Sequence, residues 1–173
     1  MNLQHDALEN SRSARVLAID PIHRGFGYVV FEGPEVLVDW GVRNIRGQKN
    51  AGSVEAVARL IEHYTPDLLV LEDGSAKGCW RRRRVRDLFG ELATLAARRG
   101  VRVRRVSRTK VGKTFAGLGA SNKDQIARLI VARFPELAPR LPPERKPWKS
   151  EDARMAIFDA AGFAMAFFKG VSR

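Results

Sequence analysis

The chain has one cysteine, Cys79, among 173 residues. Neither a disulfide framework nor a cysteine-based zinc site can form within it, and a reducing, cytoplasmic setting is expected. No apolar run is long enough to span a bilayer. The opening stretch MNLQHDALENSRSAR is polar and of mixed charge, unlike a secretory signal. Acidic residues are scarce: 19 Asp and Glu stand against 31 Lys and Arg, which gives a net charge of +12. A domain this basic is expected to meet a polyanion, with nucleic acid the leading candidate and an anionic membrane surface the weaker one. No internal repeat is present.

What is there suffices for a core, since 45% of the residues are hydrophobic. The length predicts one domain, residues 14–173, behind a flexible tail of residues 1–13. Strands are expected at 14–20, 26–32 and 35–43, the last two joined by a tight turn in EGP, so that the three form an antiparallel meander. Ser53 reads as the cap of a helix through residue 64, with Val54, Val57, Leu60 and Ile61 on one face and Pro66 ending it. DLLVLED, residues 67–73, reads as a buried strand reached through a helix, hence parallel to the first. A helix over 84–99 carries Val85, Leu88, Phe89, Leu92 and Leu95 inward. VRVRRV, residues 101–106, alternates as a half-exposed strand. Further helices are expected at 121–134 and 150–168, separated by a proline-rich loop at 135–149. The order predicts an α/β fold: a mixed five-stranded sheet, part meander and part parallel, flanked by helices.

Within that frame the acids draw attention. VLAIDPIHRGFGYVVFEG, residues 16–33, places Asp20 at the end of a buried strand. Asp20 reads either as a turn former or as a ligand, and Gly25 and Gly27 allow the turn and a close backbone approach. Glu72 ends LLVLE in the same way. If the two strands are parallel neighbours about 4.8 Å apart, both carboxylates lie at one sheet edge. Two such charges repel unless a cation is shared, and Mg²⁺ takes oxygen ligands of this kind. Asp159 interrupts the apolar stretch MAIFDAAGFAMAFF, either as an ion-pair partner of an arginine or as a further ligand. Asp152 lies seven residues earlier, on nearly the same face of the expected helix. Asp152 or Glu151 is either a first-turn residue favoured by the helix dipole or a fourth carboxylate.

These stretches resemble the RuvC family of Holliday-junction resolvases, within the RNase H-like superfamily. IDP…GYVVFEG is similar to that family's first catalytic motif and TPDLLVLED to its second. TFAGLGASNKDQI, residues 114–126, is similar to its junction-contacting segment, with Lys123 at a basic position, and DAAGFAMAF to its last motif. The resemblance implies an RNase H-like nuclease domain, and a homodimer that cuts branched DNA, four-way junctions above all, leaving 5′-phosphate ends. It further implies two Mg²⁺ ions, with Mn²⁺ able to substitute, held by Asp20, Glu72 and Asp159, and with Asp152 or Glu151 completing the set. Two such ions activate water and stabilise the leaving oxygen. The chain departs from the family where Gly162 replaces a second aspartate of the last motif, where Ile22 replaces a glycine, where Asp73, Gly74 and Ser75 follow Glu72 without an aromatic wedge, and where Gly112 occupies a basic position. Two alternatives remain: a nucleic-acid-binding protein that has lost its chemistry, and an RNase H-like nuclease acting on RNA–DNA hybrids.

KGCWRRRRVR, residues 77–86, follows Glu72 and should flank the site. Arg81, Arg82, Arg83 and Arg84 are read as phosphate contacts, with Lys110, Lys113 and Lys123 extending the surface. Trp80 either stacks on an unpaired base or packs on the following helix. Phe115 reads as core, and His23 as a turn residue near Asp20. Association with nucleoid DNA in the cytoplasm is the expected location. The dimer is expected to use the outer face of helix 84–99, where Gly90 and Ala97 allow close approach.

Overall fold

A computed structural model describes residues 13–171. Apart from Ser13, the expected tail lies outside the described residues. Strands β1 (Arg15–Ile22), β2 (Gly25–Glu32) and β3 (Val36–Asn44) form the meander, followed by α1 (Lys49–Tyr64), β4 (Leu68–Glu72), α2 (Arg83–Arg98) and β5 (Arg102–Val106). Then come α3 (Arg108–Ala116), α4 (Lys123–Arg133), a 3-10 turn (Pro135–Arg140) and α5 (Met155–Val171). The sheet runs β3-β2-β1-β4-β5, with β1 antiparallel to β2 and β2 to β3. β1 and β4 are parallel, as are β4 and β5. This is the mixed five-stranded sheet the sequence predicts. Among the described residues no helix is long and apolar enough to cross a membrane.

Side chains alternate across a strand, and here that parity decides the site. Val16 and Ala18 of β1 and Leu68 and Val70 of β4 point into the layer that holds α5. Leu17, Ile19, Leu69 and Leu71 point the other way, into the layer of α1 and α2. Continuing the count, Asp20 and Glu72 fall on the α5 face. The sandwiching of α5 between the sheet on one side and α3 and α4 on the other explains why it is apolar nearly all round. Its close approach depends on Gly27, which pairs with Asp20 across β1 and β2. A Cβ at Gly27 would come within 2.4 Å of the Ala156 backbone. Gly25, at φ 155°, turns the chain where a Cβ would strike the Arg43 carbonyl.

Three expectations are corrected. First, α1 starts at Lys49, four residues before Ser53, which is not a cap: it is buried inside the helix and its hydroxyl has no hydrogen-bond partner. Second, α3 is an additional helix without a periodic signal, because RTKVGKTFA is short, polar and buries only Phe115. A local device starts it: the Ser107 hydroxyl accepts from the Lys110 N–H at 3.1 Å. Third, the last helix begins at Met155, so Ser150, Glu151 and Asp152 lie in the preceding loop. Asp152 therefore does not share a helix face with Asp159.

Candidate functional site

Asp20, two residues before the end of β1, and Glu72, the last residue of β4, have side chains 3% and 2% exposed, and Asp159 on α5 is 12% exposed. The three are drawn together by cations. Arg81, in the loop before α2, donates from Nη2 to Asp20 Oδ1, from Nε to Glu72 Oε2 at 2.6 Å and from Nη1 to the Pro21 carbonyl at 2.9 Å. Arg108, the first residue of α3, donates from Nε to Glu72 Oε1 at 2.9 Å and from Nη2 to Asp20 Oδ1 at 3.2 Å. Its Nη1 lies 3.5 Å from Asp159 Oδ1, and its guanidinium sits 5.4 Å from the centre of the Phe163 ring. Lys123, opening α4, donates to Asp159 Oδ2 at 2.8 Å and to Glu151 at 2.9 Å.

Two buried acids and the partly exposed Asp159 thus meet three cations, and the electrostatics follow from burial set against that balance. Burial pushes the Asp20 carboxyl up to about 7, with the Asp159 charge adding to the rise and Arg81, Arg108 and Lys123 opposing it. Burial disfavours the charge on Arg108, yet Asp159, Asp20 and Glu72 outweigh it and raise its pKa. Arg81 is raised in the same way by Asp20 and Glu72, and Lys123 by Asp159.

The acids are hard oxygen donors of the type Mg²⁺ takes. Asp20 Oδ1 and both oxygens of Glu72 and of Asp159, however, are spent on guanidinium and ammonium groups. Among the described residues no group of three or more His, Cys, Asp or Glu is arranged to hold a metal ion. As arranged, the centre does not fit the ions that the family resemblance implies.

Asp152 stands apart from these contacts. Its carboxylate takes the Arg154 side chain at 2.7 and 3.0 Å and the Arg154 N–H at 2.9 Å, which hold its pKa below the usual range. Gly162, where the resemblance expects another acid, faces α3: a Cβ there would lie 3.3 Å from Val111.

The arginine run divides. Arg81 turns into the acidic centre, and Arg84 donates to Asn50 Oδ1 at 3.0 Å and to the Ile22 carbonyl at 3.3 Å. Arg82 and Arg83 are exposed. Trp80 is 93% exposed, which removes the reading that packs it on the following helix. Lys110 and Lys113 are exposed too, but a Cβ on Gly170 would lie 2.5 Å from the Lys110 Nζ, which places that amine at the far end of α5 from Asp159. Phe115 is buried core and His23 is exposed.

Sequence reasoning missed Arg108. Its signal was position: Val106 pairs with Glu72 in the parallel register, so a residue two places on emerges at the same sheet edge as the acids.

No protein-family model and no curated protein matches the chain. Solved structures do. RuvC from Thermus thermophilus superposes with a TM-score of 0.63 at 18% identity, over 91% of this chain and 96% of that one. The chain has the RNase H-like fold. T. thermophilus RuvC in complex with a Holliday junction substrate gives a TM-score of 0.62 at 16% identity, over 91% and 95% of the two chains. The yeast mitochondrial Holliday junction resolvase Ydc2 gives 0.62 at 15% identity, over 99% and 87%. At these identities the likeness is one of fold.

Proposed function

We propose that the chain is a nucleic-acid-binding protein on the RNase H-like fold, with branched DNA as its ligand and with its acidic centre neutralised from within. One observation carries this reading: Arg81, Arg108 and Lys123 meet Asp20 Oδ1 and both carboxylate oxygens of Glu72 and of Asp159. Support for the ligand comes from the net charge of +12, from the exposed Arg82, Arg83, Lys110 and Lys113, and from the junction substrate held by the similar T. thermophilus RuvC. Trp80, exposed beside the arginines, suits a base left unpaired at a branch point.

A second reading, the Mg²⁺- or Mn²⁺-dependent junction endonuclease, is favoured by the convergence of Asp20, Glu72 and Asp159 at one sheet edge. It requires both guanidinium groups to leave their carboxylates. A junction has two-fold symmetry, so this reading also asks for a C₂ dimer. The outer face of α2 is open for it, since a Cβ on Gly90 would meet nothing within 4 Å.

Four-way junction, flap, duplex and RNA–DNA hybrid, each end-labelled and incubated with excess protein in Mg²⁺ and in Mn²⁺, separate the two. Retardation of the branched substrates without strand cleavage is the expected result. Cleavage abolished by Asp20→Asn, Glu72→Gln or Asp159→Asn would establish the second reading instead.

A further inference from the structure

The sequence marks residues 135–149 only as a proline-rich loop; the structure forms a 3-10 turn at Pro135–Arg140 and extends the loop over 141–154. This loop displays Trp148, 77% exposed, on a short turn closed by the Lys149 N–H to the Lys146 carbonyl at 3.0 Å and by Arg145 Nε to the Lys149 carbonyl at 2.9 Å. Lys146 Nζ lies 5.7 Å from the centre of the indole ring. A cation and an aromatic face are therefore presented together, as the phosphate and base of one nucleotide require. Pro142, Pro143 and Pro147 restrict the unbound loop and reduce the entropy lost on binding.

Beside this turn lies a groove of about 480 Å³, walled on its other side by the start of α4. A second hollow of about 230 Å³ shares Asn122, Lys123 and Met155 with it and reaches Arg108 and Asp159. The two make one trough from Arg145, Lys146 and Lys149, the neighbours of Trp148, to the acidic centre. Three of the acids along the groove are already held: Glu144 by Arg128 at 2.9 Å, Glu151 by Lys123 at 2.9 Å and Asp152 by Arg154 at 2.7 Å. The fourth, Asp124, sits in the first turn of α4, where the helix dipole favours it. Arg145, Lys146 and Lys149 have no carboxylate partner among the described residues. The free charge of the groove is positive.

We infer that Trp148, with Arg145, Lys146 and Lys149, is a stacking platform for an unpaired base of a DNA strand lying in the trough. This rests on the nucleic-acid reading above and adds to it a second single-strand contact, on the α4 side of the centre. Trp80 sits beside Arg81, the loop arginine that grips Asp20 and Glu72.

Tryptophan emission and anisotropy test the inference on the full chain, with a short oligothymidylate and a blunt duplex of equal length as probes. In a Trp80→Phe background, oligothymidylate should quench the emission, and Trp148→Phe should remove most of that quenching. Trp148→Ala should weaken oligothymidylate binding roughly ten-fold, because stacking on one aromatic is worth about 1–3 kcal/mol per base, and should leave duplex binding and the melting temperature unchanged. Replacing Lys146 and Lys149 together with alanine should lower the log–log salt slope on the single strand by about 1.4. Wild-type affinity in Trp148→Ala, or an unchanged slope in the double variant, would overturn the inference while leaving the nucleic-acid reading intact. A wild-type protein that binds neither probe would overturn the inference, and one that also fails to bind a four-way junction would overturn both.

Discussion

Asp20 and Glu72 are buried carboxylates whose nearest counter-charges come from a loop and from the start of a helix. Removing one partner of a buried ion pair leaves a charge uncompensated, which costs about 3–5 kcal/mol. Arg81→Ala is accordingly expected to lower stability by about 3 kcal/mol, since Arg108 still serves both acids; chemical denaturation measures it, and a loss below about 1 kcal/mol would mean that Arg81 is dispensable. Asp20 also gives the centre a pH dependence. Because burial raises its pKa from 3.8 to about 7, the folded chain holds this proton more tightly than the unfolded chain. The resulting stability is fully present below the unfolded value and is lost as pH rises through the folded one, up to about 4 kcal/mol in all. Asp20→Asn removes the titrating group. The melting temperature of the wild type relative to Asp20→Asn should therefore fall between about pH 4 and about pH 8, and a pH-independent difference would contradict the assignment. These acids were legible in the sequence because each ends an apolar run. Their neutralisation was not, because Arg108 adjoins the acids only once β5 pairs with β4.

The fold's secondary elements explain what could be read in advance and what could not. The five strands and the amphipathic α2 announce themselves through apolar periodicity, a property of many residues at once. The beginnings of α1 and α5 and the whole of α3 depend on a few local hydrogen bonds and on neighbours distant in the chain, so no periodic signal marks them. The arginine run shows the same contrast. As sequence it is four equal charges, but α2 begins at Arg83, and the backbone there sends Arg81 and Arg84 inward and Arg82 and Arg83 outward. Replacing Arg82 and Arg83 with alanine should lower the salt slope on duplex DNA by up to about 1.8, at about 0.9 for each phosphate no longer neutralised, without lowering the melting temperature. Arg84→Ala should do the reverse, because its guanidinium joins α2 to Asn50 of α1 and to β1. Parallel binding isotherms and melts of the two variants check this, and equal slopes in all three proteins would place the exposed arginines away from the DNA.

At the scale of the whole molecule, a chain of net charge +12 spends three cations on its own acidic centre and leaves the remaining excess on the surface. That division underlies the central claim: an RNase H-like fold whose acidic centre is already satisfied, carried by a protein that binds nucleic acid through other residues. Calorimetric titration of Mn²⁺ into the DNA-free protein tests it most directly, with Arg81→Ala and Asp20→Asn alongside. The wild type should give no saturable heat. Saturable Mn²⁺ binding by the wild type, lost in Asp20→Asn, would contradict the claim and return the acidic centre to metal chemistry.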